Sequence, residues 1–194
     1  MPLLTNWLLI ANLAGFLAEI ALGDGVIRRF ALWPVGAGFE VWQLVSCGFL
    51  HGGVVHLATN MFGLWMFGRD VERTLGARQF IALYFLSLLL ASLSQLAADA
   101  LMAEAMPTIG ASGAVFGVLA AFAMLFPRRR LLLLFPPIPM PAWLFVTLYA
   151  LFELYAGFTT TLQGIAHFAH IGGLVGGLAV VWRWRSSRSA SWRL

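Results

Sequence analysis

Pro107-Thr-Ile-Gly110-Ala-Ser112-Gly113-Ala-Val-Phe116-Gly117 is the stretch on which the reading of the fold turns. It sets one serine among small residues, at the point where a polar connection becomes an apolar helix. With glycine and alanine on either side, backbone and ligand can both come close to Ser112. The N–H groups of a first helical turn have no partner within the helix and suit a developing negative charge. A nucleophile there would have part of its oxyanion site already built. Taken alone, the stretch also reads as a Gly-xxx-Gly packing face, Gly113 with Gly117, and Ser112 as a helix cap. The remainder of the chain separates the two.

Of 194 residues, 61% are hydrophobic and 10% charged, with a mean hydropathy of +0.87. A water-soluble domain carries about 25% charged residues, so the deficit implies an integral membrane protein. No long polar segment is present to form a second domain. All 12 basic residues are arginine. A pI of 10.2 could suggest nucleic acid, but the arginines fall at helix ends, as the positive-inside rule requires, and no nucleic-acid partner is expected. The single cysteine, Cys47, excludes an internal disulfide and a multi-cysteine metal site. The N-terminus lacks a positive n-region and a convincing cleavage site, so the first apolar run is expected to be a retained span.

A span needs about 20 mostly apolar residues. The expected architecture is all-α: one membrane domain over residues 1–194, with spans near 3–22, 54–68, 77–98, 112–126, 142–158 and 167–184. Between the first two, Gly23 to Gly53 mixes Asp24, Arg28, Arg29, Pro34 and Glu40 with Phe30, Trp33, Phe39 and Trp42. It cannot cross hydrocarbon, but its tryptophans suit the membrane interface, so it reads as a long loop partly embedded in the outer leaflet. Arg69-Asp-Val-Glu72-Arg73 closes the second span, Asp99 to Thr108 is a polar turn, and Leu131 to Phe135 is too short to span before Pro136, Pro137, Pro139 and Pro141. Glu72 with Arg73 reads as a membrane-edge ion pair. The segments after spans two, four and six hold ten of the twelve arginines. That places both termini in the cytoplasm and the first, third and fifth loops outside.

Spans two, four and six then share one direction, and their outer halves carry the unusual polar residues. His51, His56 and Asn60 belong to the second, Ser112 to the fourth, His167 and His170 to the sixth. Ionisable side chains inside a membrane are costly and mark functional sites. His56 and Asn60, four apart, share a helix face, as do His170, Gly173 and Gly177. Span six can therefore lie tightly on Gly113 and Gly117, bringing His170 towards Ser112. A serine hydroxyl needs a neighbouring base. No Asp or Glu lies at that depth on these three helices, so a Ser-His dyad is expected and not a triad. His56, Asn60 and the Ser112 N–H would serve the oxyanion.

Gly110-Ala-Ser112-Gly113, then Ala169-His170-Ile-Gly-Gly173, with His51-Gly-Gly-Val-Val-His56-Leu-Ala-Thr-Asn60 upstream, resemble the rhomboid intramembrane serine proteases. The likeness covers nearly the whole chain, including Val71-Glu72-Arg73 before Leu75-Gly76, and is to the minimal six-span bacterial form. It implies a six-transmembrane-helix rhomboid bundle in the bacterial cytoplasmic (inner) membrane, with the active site opening outward. Ser112 would be nucleophile and His170 general base, His56, Asn60 and the Ser112 N–H the oxyanion donors, and Gly110, Gly113, Phe116 and Gly173 supporting residues. No cofactor and no metal are implied. Partners would be the lipid bilayer and single-span or polytopic membrane proteins, cut near the outer end of a helix that enters past the fifth span and under the loop from Thr159 to Ala166. Nothing in the sequence gives an oligomeric state.

Two positions depart from the pattern. Gln43 follows Trp42 where bacterial members carry arginine, which implies a less firmly anchored first loop. Phe116 stands where many have tyrosine, keeping the ring that packs on the histidine and losing the hydroxyl; activity is expected to survive. His167, one turn before His170, could be the base on spacing alone, and the Ala-His-Ile-Gly-Gly context favours His170. His51 reads as a structural hydrogen-bonder. Two rival readings are an inactive rhomboid-like binder of membrane proteins and a metal or ion transporter using His51, His56, His167 and His170. The transporter leaves Ser112 and Asn60 unexplained, and only Glu153 or Glu19 could add a carboxylate to it.

Overall fold

The computed structural model describes residues 3–102, 106–132, 138–159 and 164–190. Pro136, Pro137, Arg193 and the middle of the loop between Thr159 and Ala166 lie outside them. The chain is a polytopic membrane bundle built on six long helices: α1 Leu4–Leu22, α4 Val54–Leu75, α5 Ala77–Met102, α6 Ser112–Leu125, α7 Ala142–Thr159 and α8 His167–Ala190. Three of them, α1, α5 and α7, are long and apolar enough to cross a bilayer by composition alone. Helix α6, of 14 residues, rises about 21 Å, less than the hydrocarbon thickness. It is apolar on every side because protein surrounds it: ten of its residues, Gly113 to Ala123 save Val115, are buried.

The long first loop holds two short helices, α2 Asp24–Phe30 and α3 Gln43–Ser46, and a 3-10 turn over Cys47–Phe49. Its Leu32 and Cys47 pack with Leu96 of α5. Gln43 is built into this loop. The side chain is buried; its Oε1 accepts from the N–H groups of Trp33 and Glu40 at 3.1 and 3.2 Å, and its Nε2 donates to the Gly38 carbonyl at 3.2 Å. A neutral amide, donor and acceptor at once, ties three points of the loop together where an arginine could only donate. Trp42 instead turns its face to Arg29, whose guanidinium lies 4.7 Å from the ring centre.

Helix α8 packs against α5, α6 and α7 and owes its place to glycine. A methyl group on Gly173 would run into the carbonyl of Gly113, and one on Gly177 into that of Gly117. Gly172 and Gly176 meet α5 in the same way, at Leu90 and Ser87. Such contacts let backbones approach where lipid supplies no hydrophobic drive between helices. Outward, α1 and α7 expose Trp7, Ile20, Leu151 and Phe158, the apolar surface a bilayer solvates.

Several ends differ from the sequence reading. α4 does not stop near Gly68 but runs to Leu75, where Gly76 at φ 85° ends it. Its extra turns bury Glu72, which is not paired with Arg73. Its carboxylate accepts from the N–H groups of Leu4 and Thr5 at 2.7 and 2.9 Å and from the Thr5 hydroxyl at 2.7 Å, capping α1 from a neighbouring helix. Arg73 lies instead 3.6 Å from Asp70, which also binds Arg129 at 2.6 Å. α5 continues through Asp99, buried and bonded to Gln95 one turn back. Arg130–Leu132 (β1) and Pro139–Pro141 (β2) pair as an antiparallel hairpin between α6 and α7.

Candidate active site

Ser112 is the first residue of α6, and the segment before it is stapled to the first loop. Leu32 and Thr108 exchange two backbone hydrogen bonds at 3.0 and 2.9 Å, and Gly110 N–H donates to the Cys47 carbonyl at 2.9 Å. Gly110 adopts φ 126°, open only to glycine. From α8, His170 presents Nε2 to Ser112 Oγ at 2.9 Å. Phe116, one turn along α6, stacks on the His170 ring at 4.1 Å between centroids and 6° from parallel. The Gly113–Gly173 contact sets the helix separation that allows this reach.

The donors expected from α4 face the same point. Gly52 N–H donates to His56 Nδ1 at 3.2 Å, so the neutral ring carries its proton on Nε2. Nε2 lies over Gly110: a methyl group there would stand 2.8 Å from it and 3.7 Å from Ser112 Oγ. Asn60 is buried one turn on, its Nδ2 donating to the His56 carbonyl at 2.9 Å. That bond uses one of two amide N–H groups. His56, Asn60, Ser112, Phe116 and His170 all line a cleft of 1320 Å³ that lies between α4 and α7.

His51 is buried beside them, its ring 5.2 Å from that of His56. Its backbone N–H donates to Glu19 at 2.9 Å, while neither ring nitrogen has a hydrogen-bond partner among the described residues. Burial, with His56 adding to it, holds the imidazole down at about 4. Cys47, behind the site, has its thiol pushed up to about 11 by burial.

A carboxylate does reach this depth, from α7. Glu153 is buried, and its Oε2 lies 2.6 Å from His167 Nδ1 and 2.9 Å from His170 Nδ1. The second contact is close but is not aligned as a hydrogen bond. The three even helices carry no carboxylate at this depth; the one beside the pair comes from α7, the Glu153 that the sequence reading weighed only as a metal ligand. Its signal was present: Glu153 is the one charge in an otherwise apolar span, and such a group has to find a partner. Glu153, His167 and His170 are also the group among the described residues that could offer three ligand atoms to a metal, all within 4.8 Å of one another. Both ring nitrogens lie close to the carboxylate oxygen, at 2.6 and 2.9 Å. Ligands around a tetrahedral zinc, about 2.0–2.1 Å from the ion, stand further apart.

A serine against an imidazole, with donors opposite, on a membrane bundle, defines a class. The rhomboid domain family matches residues 38–187. The chain is 36% identical over 142 residues to Rhomboid protein 1, mitochondrial, of Saccharomyces cerevisiae, covering 72% of this chain and 41% of that protein. It is 30% identical over 138 residues to Rhomboid protease GluP of Bacillus subtilis (71% and 25%). To the human presenilin-associated rhomboid-like protein, mitochondrial, it is 30% identical over 157 residues (79% and 40%). This chain belongs to the rhomboid family. It spans less than half the length of these relatives, two of which are mitochondrial and one bacterial.

Proposed function

We propose that the chain is an intramembrane serine endopeptidase that cuts transmembrane-helix substrates near their outer end, with Ser112 as nucleophile and His170 as general base. The observation that carries this reading is the 2.9 Å contact of Ser112 Oγ with His170 Nε2 inside the 1320 Å³ cleft. Oγ attacks the scissile carbonyl as Nε2 takes its proton. The oxyanion that forms is met by the Ser112 N–H, His56 Nε2–H and the second Asn60 N–H. His170 returns the proton to the leaving amine, and water entering through the cleft hydrolyses the acyl-enzyme. The base is His170 and not His167, because it is the His170 ring that meets Ser112 Oγ. The distribution of arginine supports cytoplasmic termini and a site open to the outer side of the membrane. The substrate helix enters the cleft past α7.

Cleavage of a single-span reporter by the purified protein, beside Ser112→Ala and His170→Ala, tests the assignment. The wild type cuts and both variants fall by at least about 10³-fold, the scale on which such groups contribute. Cleavage by Ser112→Ala would remove the serine mechanism; cleavage by His170→Ala but not Ser112→Ala would move the base. A wild type silent on every reporter would favour a non-proteolytic binder of membrane proteins.

A further inference from the structure

The Ser-His pair leaves Glu153 unused, and the membrane makes that carboxylate hard to ignore. It is the only charged residue of α7, it is 2% exposed, and an ionised group there is retained only against matched partners. Its partners are two imidazoles, both met through one oxygen, Oε2, and both at Nδ1. A carboxylate oxygen can accept from two donors. His170 is thus placed between Ser112 on its Nε2 side and Glu153 on its Nδ1 side, with Phe116 flat against the ring.

We propose that Glu153 is a positioning residue for His170, making the site a Ser112–His170–Glu153 relay with His167 bracing the carboxylate. The inference rests on the proposed protease reading. A negative oxygen at Nδ1 favours the tautomer with its proton on Nδ1, which leaves the Nε2 lone pair for the Ser112 proton. When that proton moves, the imidazolium forms 2.9 Å from a fixed negative charge, the arrangement by which a buried carboxylate assists a catalytic histidine elsewhere. His167, at 2.6 Å, occupies the second acceptor direction of Oε2 and keeps the carboxylate from turning away. Atoms balance without any other reactant: the serine proton moves to Nε2 and on to the amine, and Glu153 stays ionised throughout. The contact places the acid on the helix that borders the cleft, so a displacement of α7 carries the carboxylate away from the base.

The test compares wild type, Glu153→Gln and Glu153→Asp on a single-span reporter in proteoliposomes, resolving kcat from KM. With the His170 contact off-axis in the resting enzyme, Glu153→Gln should lower kcat by about 10- to 100-fold with KM within about twofold, because the interaction matters in the transition state. Glu153→Asp, which keeps the charge, should recover part of the loss. Unchanged kcat in Glu153→Gln with an active wild type overturns the positioning role and leaves the protease standing. A wild type that never cuts overturns both. Histidine ¹⁵N spectra of the wild type provide a readout that no variant's folding can cloud. A neutral His170 protonated on Nδ1 is expected, and one protonated on Nε2 would overturn the proposal.

Discussion

Phe116 lies flat against His170 and also meets Tyr149 of α7, 5.0 Å between ring centres. Stacking of this kind fixes the plane of the imidazole while leaving both nitrogens free. Because the ring and not a hydroxyl makes the contact, Phe116→Tyr should leave turnover within about threefold, whereas Phe116→Leu should lower it about tenfold through a looser base. Steady-state rates on one reporter decide it; a large gain with tyrosine would show that the missing hydroxyl matters. His51 yields a pH prediction. It takes up a proton near 6.5 when unfolded and near 4 when folded, so the unfolded state binds more protons in between. Stability is complete above 6.5 and drains as pH falls through that window. The thermal midpoint in detergent should drop between about pH 7 and 5, and drop less in His51→Gln; an equal drop would contradict the buried, neutral ring. At this scale Ser112, His170, His56 and Asn60 could be read from motif and four-residue spacing. Glu153 stood out as the lone charge of its span, but its partners could not be read, since its reach depends on how α7 is rotated against α8, which no local pattern states.

The helix that organises the bundle is α8, and its two glycine faces make it sensitive to a single methyl group. Gly173→Ala would press Cβ into the Gly113 carbonyl, parting α6 from α8 at a cost of about 1–3 kcal/mol. The result should be a lower thermal midpoint and lost activity, since the same parting lengthens the Ser112–His170 contact. Gly25→Ala on α2, where added carbon meets nothing within 4 Å, is the matched control. A Gly173→Ala protein as stable and active as the wild type would show that the helices do not need this approach. The apolar runs made the six long helices legible, as did Gly113 and Gly117 for the close pair. Helix ends were less so. Arg69 to Arg73 looks like a terminator by charge, but Asp70 and Glu72 are spent on Arg129 and on the first turn of α1, contacts made across the bundle that let α4 continue. The partners of Gln43 were not legible either, since they are backbone groups of its own loop, brought to it by the loop's turns.

Across the whole molecule, polarity is sorted by depth. Ser112, His56, Asn60, His170, His167 and Glu153 gather within the bundle near one end, the arginines of α4 and α8 lie towards the other, and apolar side chains face outward between them. The cleft runs between α4 and α7, and α7 is held on its other edge by α8, α6 and the β-hairpin. That arrangement leaves Ser112 on the wall of an open cleft bordered by α4 and α7, as the proposed cleavage of a membrane helix would need. The central claim is that Ser112 is activated by His170, and labelling by a serine-directed fluorophosphonate tests it without any choice of substrate. Mass analysis of the reacted wild-type protein should place one adduct on Ser112, and the labelling rate should fall at least about 10²-fold in His170→Ala. An unlabelled Ser112, or labelling as fast without His170, would contradict the account.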